Sequence, residues 1–281
     1  MRTRILTAAM LAALVLAALF LLPSRGWALL TLGLMGLAAY EWTRLVGFTP
    51  RRRVGFIAGI VLFGLVLLFA HPAGMSPRWP DGVVLGICLA AGIFWFVVAP
   101  TWLATQWSVR HELVMALVGW LVLIGAWVAI VELQARSPWL VLAAMAVVWI
   151  ADTAAYFTGR KLGRRKLAPS ISPNKSWEGV WGGVAAVAVY ALLLTPFAAE
   201  AGYKGSRNAL TIAAFVLLCV VLGVISVIGD LFESMMKRQA GVKDSGALLP
   251  GHGGVLDRID ALLSAMPIAA IAATLFLVND A

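Results

Sequence analysis

NALTIAAFVLLCVVLGVISVI (208–228), GDLFESMMKRQAGVKDSGALLPGHGGVLDRID (229–260) and ALLSAMPIAAIAATLFLV (261–278) follow one another without a break. Each flanking run is unbroken apolar sequence of about the 20 residues that a helix needs to cross a bilayer's hydrocarbon layer. A barrel strand would alternate apolar with polar residues; neither run does. The polar stretch between them holds five carboxylates (Asp230, Glu233, Asp244, Asp257, Asp260), four cations (Lys237, Arg238, Lys243, Arg258), His252 and a Gly-His-Gly-Gly turn. In a chain that is 62% hydrophobic and only 12% charged, this is where chemistry is expected.

Working outward, the mean hydropathy of +0.94 describes a membrane protein rather than a large soluble core. The pattern predicts an all-α, polytopic transmembrane helical bundle with nine spans, at 4–22, 26–46, 54–70, 82–100, 113–132, 138–158, 177–199, 208–228 and 260–278. Prolines mark the breaks, tryptophans such as Trp27, Trp79, Trp102, Trp139 and Trp177 suit the membrane interfaces, and glycines such as Gly182 and Gly183 suit close helix packing. The first run is too long for a signal peptide's apolar region, so it reads as a retained helix. Cys88 and Cys219 sit alone in apolar runs and read as small buried hydrophobes.

Nine spans place alternate loops on opposite sides. Seventeen of the 22 Lys and Arg residues then fall on the side of the N-terminus and five on the other. The positive-inside rule puts the N-terminus and the two richest loops, 159–176 and 229–259, in the cytoplasm, where nucleotide triphosphates are. The net charge of +9 therefore reports loop orientation and anionic headgroups, not nucleic acid.

A second polar region, WIADTAAYFTGRKLGRRKLAPSISPNKSWEGVWGG (149–183), faces the same compartment. Asp152 lies inside an apolar helix, on one face with Trp149, Thr153 and Tyr156. A carboxylate there needs a partner or a wet cavity; a hydrogen bond between helices would also account for it. The run Gly159-Arg-Lys-Leu-Gly-Arg-Arg-Lys166 suits phosphate capture as well as simple orientation. Ser172 or Asn174 is expected to cap the next helix, with Glu178 in its first turn. Lys175 and Ser176 beside that helix start make an anion site.

Returning to 229–260, a helix continuing past Asp230 would carry Asp230, Glu233, Ser234 and Lys237 on one face. Asp257 and Asp260 would share a face at the start of the ninth span. Two carboxylate pairs then face each other across one loop, which suits a hard divalent cation that takes one or two carboxylates plus substrate phosphates; neutralisation of nearby cations is the plainer alternative. Glycines of the 251–254 turn let backbone N–H groups approach a phosphate. His252 suits a general acid or base, a phosphate donor, or a turn position. No P-loop, Ser/His/Asp set or HExxH occurs.

Ser234-Met-Met-Lys237-Arg238, Lys243-Asp244, Pro250-Gly-His252-Gly253-Gly254 and Asp257-Arg258-Ile-Asp260 closely resemble the signature of the CDP-diacylglycerol synthases (phosphatidate cytidylyltransferases). Ser172-Pro-Asn174-Lys175-Ser176-Trp-Glu178-Gly179 and Trp149-x-x-Asp152-x-x-x-Tyr156 resemble that family's second block. The match covers about 149–260; the first four spans match only in hydropathy. The resemblance implies that phosphatidate's phosphate attacks the α-phosphorus of CTP, giving CDP-diacylglycerol and pyrophosphate, with Mg²⁺ or another divalent cation and room for an additional monovalent cation. Asp230 and Asp257 are the first expectation for the metal, with Glu233 beside them and Asp260 and Asp152 behind. Lys175, Lys237, Arg238, Lys243 and Arg258 would hold CTP and lipid phosphates. Ser172, Ser176 and Ser234 would donate to phosphate or cap helices, and Asn174, Glu178, Asp244, Gly253 and Gly254 would complete the substrate site. His252 stays among the catalytic expectations, though an attacking phosphate already ionised needs no strong base.

The chain accordingly divides into a supporting N-terminal region, 1–112, and a catalytic C-terminal one, 113–281. The expected setting is the cell membrane, with the active site facing the cytoplasm; the expected partners are CTP, phosphatidate, the bilayer and, from the family, a second copy of the chain. Two rivals differ in chemistry: a CTP-dependent polyprenol kinase would transfer the γ-phosphoryl group, and a transporter would place its charges at midplane across several spans.

Overall fold

The computed structural model describes residues 2–70, 78–108, 111–200, 208–248 and 253–276. The elements are α1 (Arg2–Leu21), α2 (Ser24–Val46), α3 (Pro50–Phe69), α4 (Asp81–Ile93), a π-helical turn (Phe94–Val98), α5 (Ala99–Thr105), α6 (Glu112–Arg136), α7 (Pro138–Leu162), β1 (Lys166–Ala168), β2 (Ser172–Ser176), α8 (Trp177–Glu200), α9 (Ala209–Gln239) and α10 (Leu256–Phe276). With α4, the π turn and α5 counted as one rod, the described residues form nine long helices, at the positions of the nine apolar segments. Among the described residues seven of them are long and apolar enough to cross a membrane, and α1 adds a shorter apolar stretch, Ala12–Leu21. α2 carries Arg25, Glu41 and Arg44.

Helix ends follow local chemistry. α2 stops at Gly47, whose φ of 81° is left-handed, and the N–H groups of Gly47 and Phe48 return to the carbonyls of Arg44 and Thr43. α7 opens with Ser137 accepting from Trp139 N and Pro138 in the first helical position. α9 opens with Asn208 accepting from Thr211 N at 2.9 Å. The fourth span as read from the sequence, 82–100, ends at Pro100, but the helix runs on to Thr105. Pro100 has no N–H for the carbonyl four residues back; the π turn directly before it widens the helix there instead of ending it.

The all-α expectation also misses a short antiparallel hairpin. β1 and β2 pair around a turn at 169–171, with an irregular register between Lys166–Ser176 and Ala168–Ser172. The segment is too short and polar to show strand periodicity.

α6 and α10 are the most enclosed helices, and both are apolar on nearly every side. α2 is fastened to α6 by two indoles: Trp42 Nε1 donates to Met115 O and Trp127 Nε1 to Ala28 O, each at 3.1 Å. Small residues then set the close crossings beside the polar faces. A Cβ on Gly179 or Gly183 would lie 2.8 or 2.9 Å from the α7 carbonyls of Ala155 and Ala151. One on Gly229 would lie 2.6 Å from Asp260 O of α10. On the far side of α9, Phe232 packs edge-on against Phe94, Trp95 and Trp102, with ring centroids 5.4–5.7 Å apart. The N-terminal half thus sets how α9 is rotated. At 31 residues α9 is about 46 Å long, against a hydrocarbon layer of about 30 Å, so several of its turns must extend beyond the apolar layer.

Candidate active site

α9 does continue past Asp230, and its last turns carry Asp230, Glu233, Ser234 and Lys237 on one face. Lys237, only 9% exposed, is the hub. Its ammonium donates to Asp257 Oδ1 of α10 at 2.6 Å and makes an ion pair with Glu233 Oε2 one turn back. A buried ammonium is tolerated only when paired; here it has two carboxyl groups, so acids outnumber cations in the group. Glu233 Oε1 is buried without a hydrogen-bond partner among the described residues. Asp257 Oδ2 faces the loop and accepts from Gly254 N (2.7 Å) and Ser245 N (3.0 Å), with Ser245 Oγ 3.0 Å away.

A second pair lies alongside. Lys175 of β2 donates to Asp230 Oδ2 at 2.6 Å, and Ser234 Oγ donates to Asp230 Oδ1 at 3.3 Å. The Lys175 and Asp230 side chains are 25% and 29% exposed, so the site opens here. Asp152 of α7 lies within electrostatic reach of Asp230 and Lys175. Asp260 is within reach of Asp230, Lys237 and Lys175. The five acids Asp152, Asp230, Glu233, Asp257 and Asp260 therefore converge from three helices on two lysines. Among the described residues no three His, Cys, Asp or Glu side chains close round one point as a metal held by protein alone requires.

The hairpin delivers Lys175. Ser172, half-buried, and Asn174, exposed, lie in β2, so neither caps α8. The cap is Ser176, whose Oγ accepts from Gly179 N at 3.2 Å. The strand runs up to the helix and leaves only its last residue in the capping position. Glu178 does sit in the first turn, but it reaches backwards to accept from the N–H groups of Arg164 and Arg165 at 3.0 and 3.2 Å. That folds the basic loop onto α8. Arg238 donates to Ile171 O and Val242 O, both at 3.3 Å, and so braces the hairpin tip against the end of α9. Lys243, Asp244 and Arg258 are exposed around the rim. Gly253 has φ of 81°, and a Cβ there would lie 2.7 Å from Asp257 Oδ2, so both conformation and space require glycine. His252, with residues 249–251, lies outside the described residues.

Two residues escaped the sequence reading. Glu41 of α2 is wholly buried; its carboxylate accepts from Val255 N (3.0 Å), Leu256 N (2.8 Å) and Ser245 Oγ (2.9 Å). Ser245 joins Glu41 to Asp257. The rule that singled out Asp152, that an acid within an apolar span needs a partner, applies equally to Glu41. Its partners are more than 200 positions away.

Residues 2–276 match the model of the Cytidylyltransferase family. The chain is 39% identical over 277 residues to the phosphatidate cytidylyltransferase of Pseudomonas aeruginosa, covering 95% of each chain. It is 36% identical over 282 residues to the enzyme of that name from Haemophilus influenzae, covering 95% of this chain and 96% of the other. The Thermotoga maritima phosphatidate cytidylyltransferase is 44% identical over 123 residues, 44% of each chain. The chain belongs to the Cytidylyltransferase family.

Proposed function

We propose that this protein is an integral-membrane phosphatidate cytidylyltransferase, which joins the cytidylyl group of CTP to phosphatidate and releases pyrophosphate. The observation that carries the reading is the pairing of Lys175 with Asp230 and Lys237 with Asp257 at one end of a bundle that matches enzymes of that name along its length. A phosphatidate oxygen forms the new bond to the α-phosphorus, the bond from that phosphorus to the β-phosphate oxygen breaks, and pyrophosphate leaves with the electron pair. The attacking phosphate is already anionic near neutral pH, so positioning and charge neutralisation dominate over proton removal. Lys175 and Lys237, each held on a carboxylate, are placed to turn toward substrate phosphates. Ser234 adds a hydroxyl donor, and the rim cations Lys243 and Arg258 favour approach of a polyanion.

The donor set fits a divalent cation completed by substrate. One or two of Asp230, Asp257 and Glu233 would hold it, because Mg²⁺ needs only that many carboxylates beside phosphates and waters, and Glu233 Oε1 is buried without a hydrogen-bond partner among the described residues. When bound, the ion neutralises charge on the triphosphate and the departing pyrophosphate. A monovalent cation among the remaining carboxylates belongs to the same proposal.

The arrangement in the membrane is nine crossings, with the N-terminus and the site in the cytoplasm, supported by the seventeen-to-five division of Lys and Arg. Residues 113–281 carry the chemistry and 1–112 support it. The setting is the cell membrane, and the assembly is a homodimer on family resemblance.

The test uses purified protein with phosphatidate, Mg²⁺ and CTP labelled at either the α or the γ position. Label from the α position is expected in the lipid and label from γ in pyrophosphate. Lipid labelled from γ would convert the reading to a lipid kinase; no labelled lipid in any detergent or bilayer would overturn it.

A further inference from the structure

The acid that fixes the position of Asp257 comes from the other end of the chain. Glu41 lies on α2, far from the motifs of 149–260, and is 0% exposed. Its Oε1 accepts from Val255 N at 3.0 Å and its Oε2 from Leu256 N at 2.8 Å. These N–H groups sit at the start of α10, where a helix leaves its first donors unsatisfied and favours negative charge. Oε2 also accepts from Ser245 Oγ at 2.9 Å, while the same hydroxyl lies 3.0 Å from Asp257 Oδ2. Ser245 has one hydroxyl proton, so its oxygen is held between two carboxylates. Asp257 in turn holds Lys237 at 2.6 Å.

The loop is shaped around this carboxylate. A Cβ on Gly246 or on Gly254 would collide with the Glu41 side chain, and one on Gly254 would collide with Ser245 Oγ as well. Two glycines on opposite sides of the loop thus make room for one glutamate. α2 itself cannot shift freely, because Trp42, the next residue, donates to Met115 O of α6 at 3.1 Å. The rigid path runs from α6 through α2, Glu41 and Ser245 to Asp257 and Lys237.

We propose that Glu41 is a positioning residue for the cytidylyl transfer: it holds Ser245 and the first turn of α10 so that Asp257 keeps Lys237 in place. The inference rests on the proposed activity and makes the N-terminal helices part of the catalytic assembly. A displacement of about 1 Å in such a constellation costs about 100-fold in rate.

The test compares wild type with Glu41→Gln, Glu41→Asp, Ser245→Ala and the Glu41→Gln/Ser245→Ala double variant. Trp127→Phe is the control, because it loosens α2 from α6 at Ala28, well away from Glu41. Glu41→Gln keeps the size but replaces an acceptor oxygen with a donor that faces backbone N–H groups. It is expected to lower kcat about 10–100-fold with little change in KM for phosphatidate, with Glu41→Asp recovering part of the loss. The double variant is expected to lose little more than the worse single one. Trp127→Phe is expected to lower Tm with kcat unchanged per folded enzyme. Equal kcat in wild type and Glu41→Gln would overturn the inference, as would losses that multiply in the double variant. Amide hydrogen exchange over Gly253–Asp257 is a readout that does not depend on activity. Glu41→Gln is expected to speed it, and unchanged exchange would overturn the inference even if wild type proved to catalyse another transfer. Failure of wild type to label the lipid from the α position overturns the proposed reaction instead.

Discussion

Two ionic clusters sit at opposite ends of α10, about 20 Å apart along the helix, and they are built differently. At its C-terminal end Glu132 of α6, wholly buried, pairs with Arg136 at 2.8 Å and lies 3.8 Å from Arg78. Arg136 reaches across to Asp81 of α4 at 3.0 Å and to Ala273 O of α10. That is two acids and two arginines, balanced in charge and joined by planar guanidinium groups that tie α4, α6 and α10 together. At the N-terminal end five acids, Asp152, Asp230, Glu233, Asp257 and Asp260, surround two lysines, and Glu41 lies behind them on Ser245. Arginine forks suit a fixed joint. Lysine is a flexible point charge that can change partners, and a surplus of carboxylates suits a site completed by a cation and a polyanionic substrate. Burial of charge by itself does not mark an active site; acids in excess of exchangeable cations do.

The comparison can be broken most decisively at Lys237 and Asp257. Asp257→Asn, or Lys237→Met, is expected to reduce kcat at least about 1,000-fold while the protein still inserts and folds, measured by labelled-lipid formation on size-selected protein. Retained activity in both would remove the site from this end of the helix. Next comes Lys175→Met, expected to cost about 100-fold and to raise KM for CTP, because the partner of Asp230 at the open edge is lost. At the other cluster Arg136→Met leaves Glu132 buried without its closest partner. It is expected to destabilise the fold by about 3–5 kcal/mol, read by thermal unfolding in detergent, with kcat of the folded fraction unchanged. A large fall in kcat there would erase the contrast. The smallest effect is at Arg52 and Glu112, an ion pair on the surface; Arg52→Ala is expected to change stability by no more than about 1 kcal/mol and activity not at all.

The polytopic bundle was readable because continuous apolar runs of bilayer length allow backbone groups only helical satisfaction. The helix face of Asp230, Glu233, Ser234 and Lys237 was readable for the same local reason, as was the placement of Glu178 in a first turn. The cap of α8 was misassigned to Ser172 or Asn174 because the hairpin that ends at Ser176 gives no periodic signal. Nor could residue type alone foresee that Glu178 and Arg238 engage backbone groups of the hairpin and its adjoining loops. The fourth span as read from the sequence ends at Pro100 because a π turn's accommodation of proline depends on how the whole rod packs.

What the sequence by itself determined is periodic or local: the long apolar helices, the glycines at close crossings, and a set of acids and bases spaced for chemistry. Which acid meets which base was decided by the tertiary structure. The crossings at Gly179, Gly183 and Gly229 bring α7 to α8 and α9 to α10 near van der Waals limits, and only then do Asp152, Lys175, Asp230 and Asp260 come within reach of one another. Glu41 makes the distinction most clearly. In sequence it is one acid in an apolar helix, more than 100 residues before the stretch that resembles the family signature. In the fold its carboxylate sits on the first turn of α10, because a buried charge is stable only where donors converge, and those donors lie more than 200 residues further along the chain.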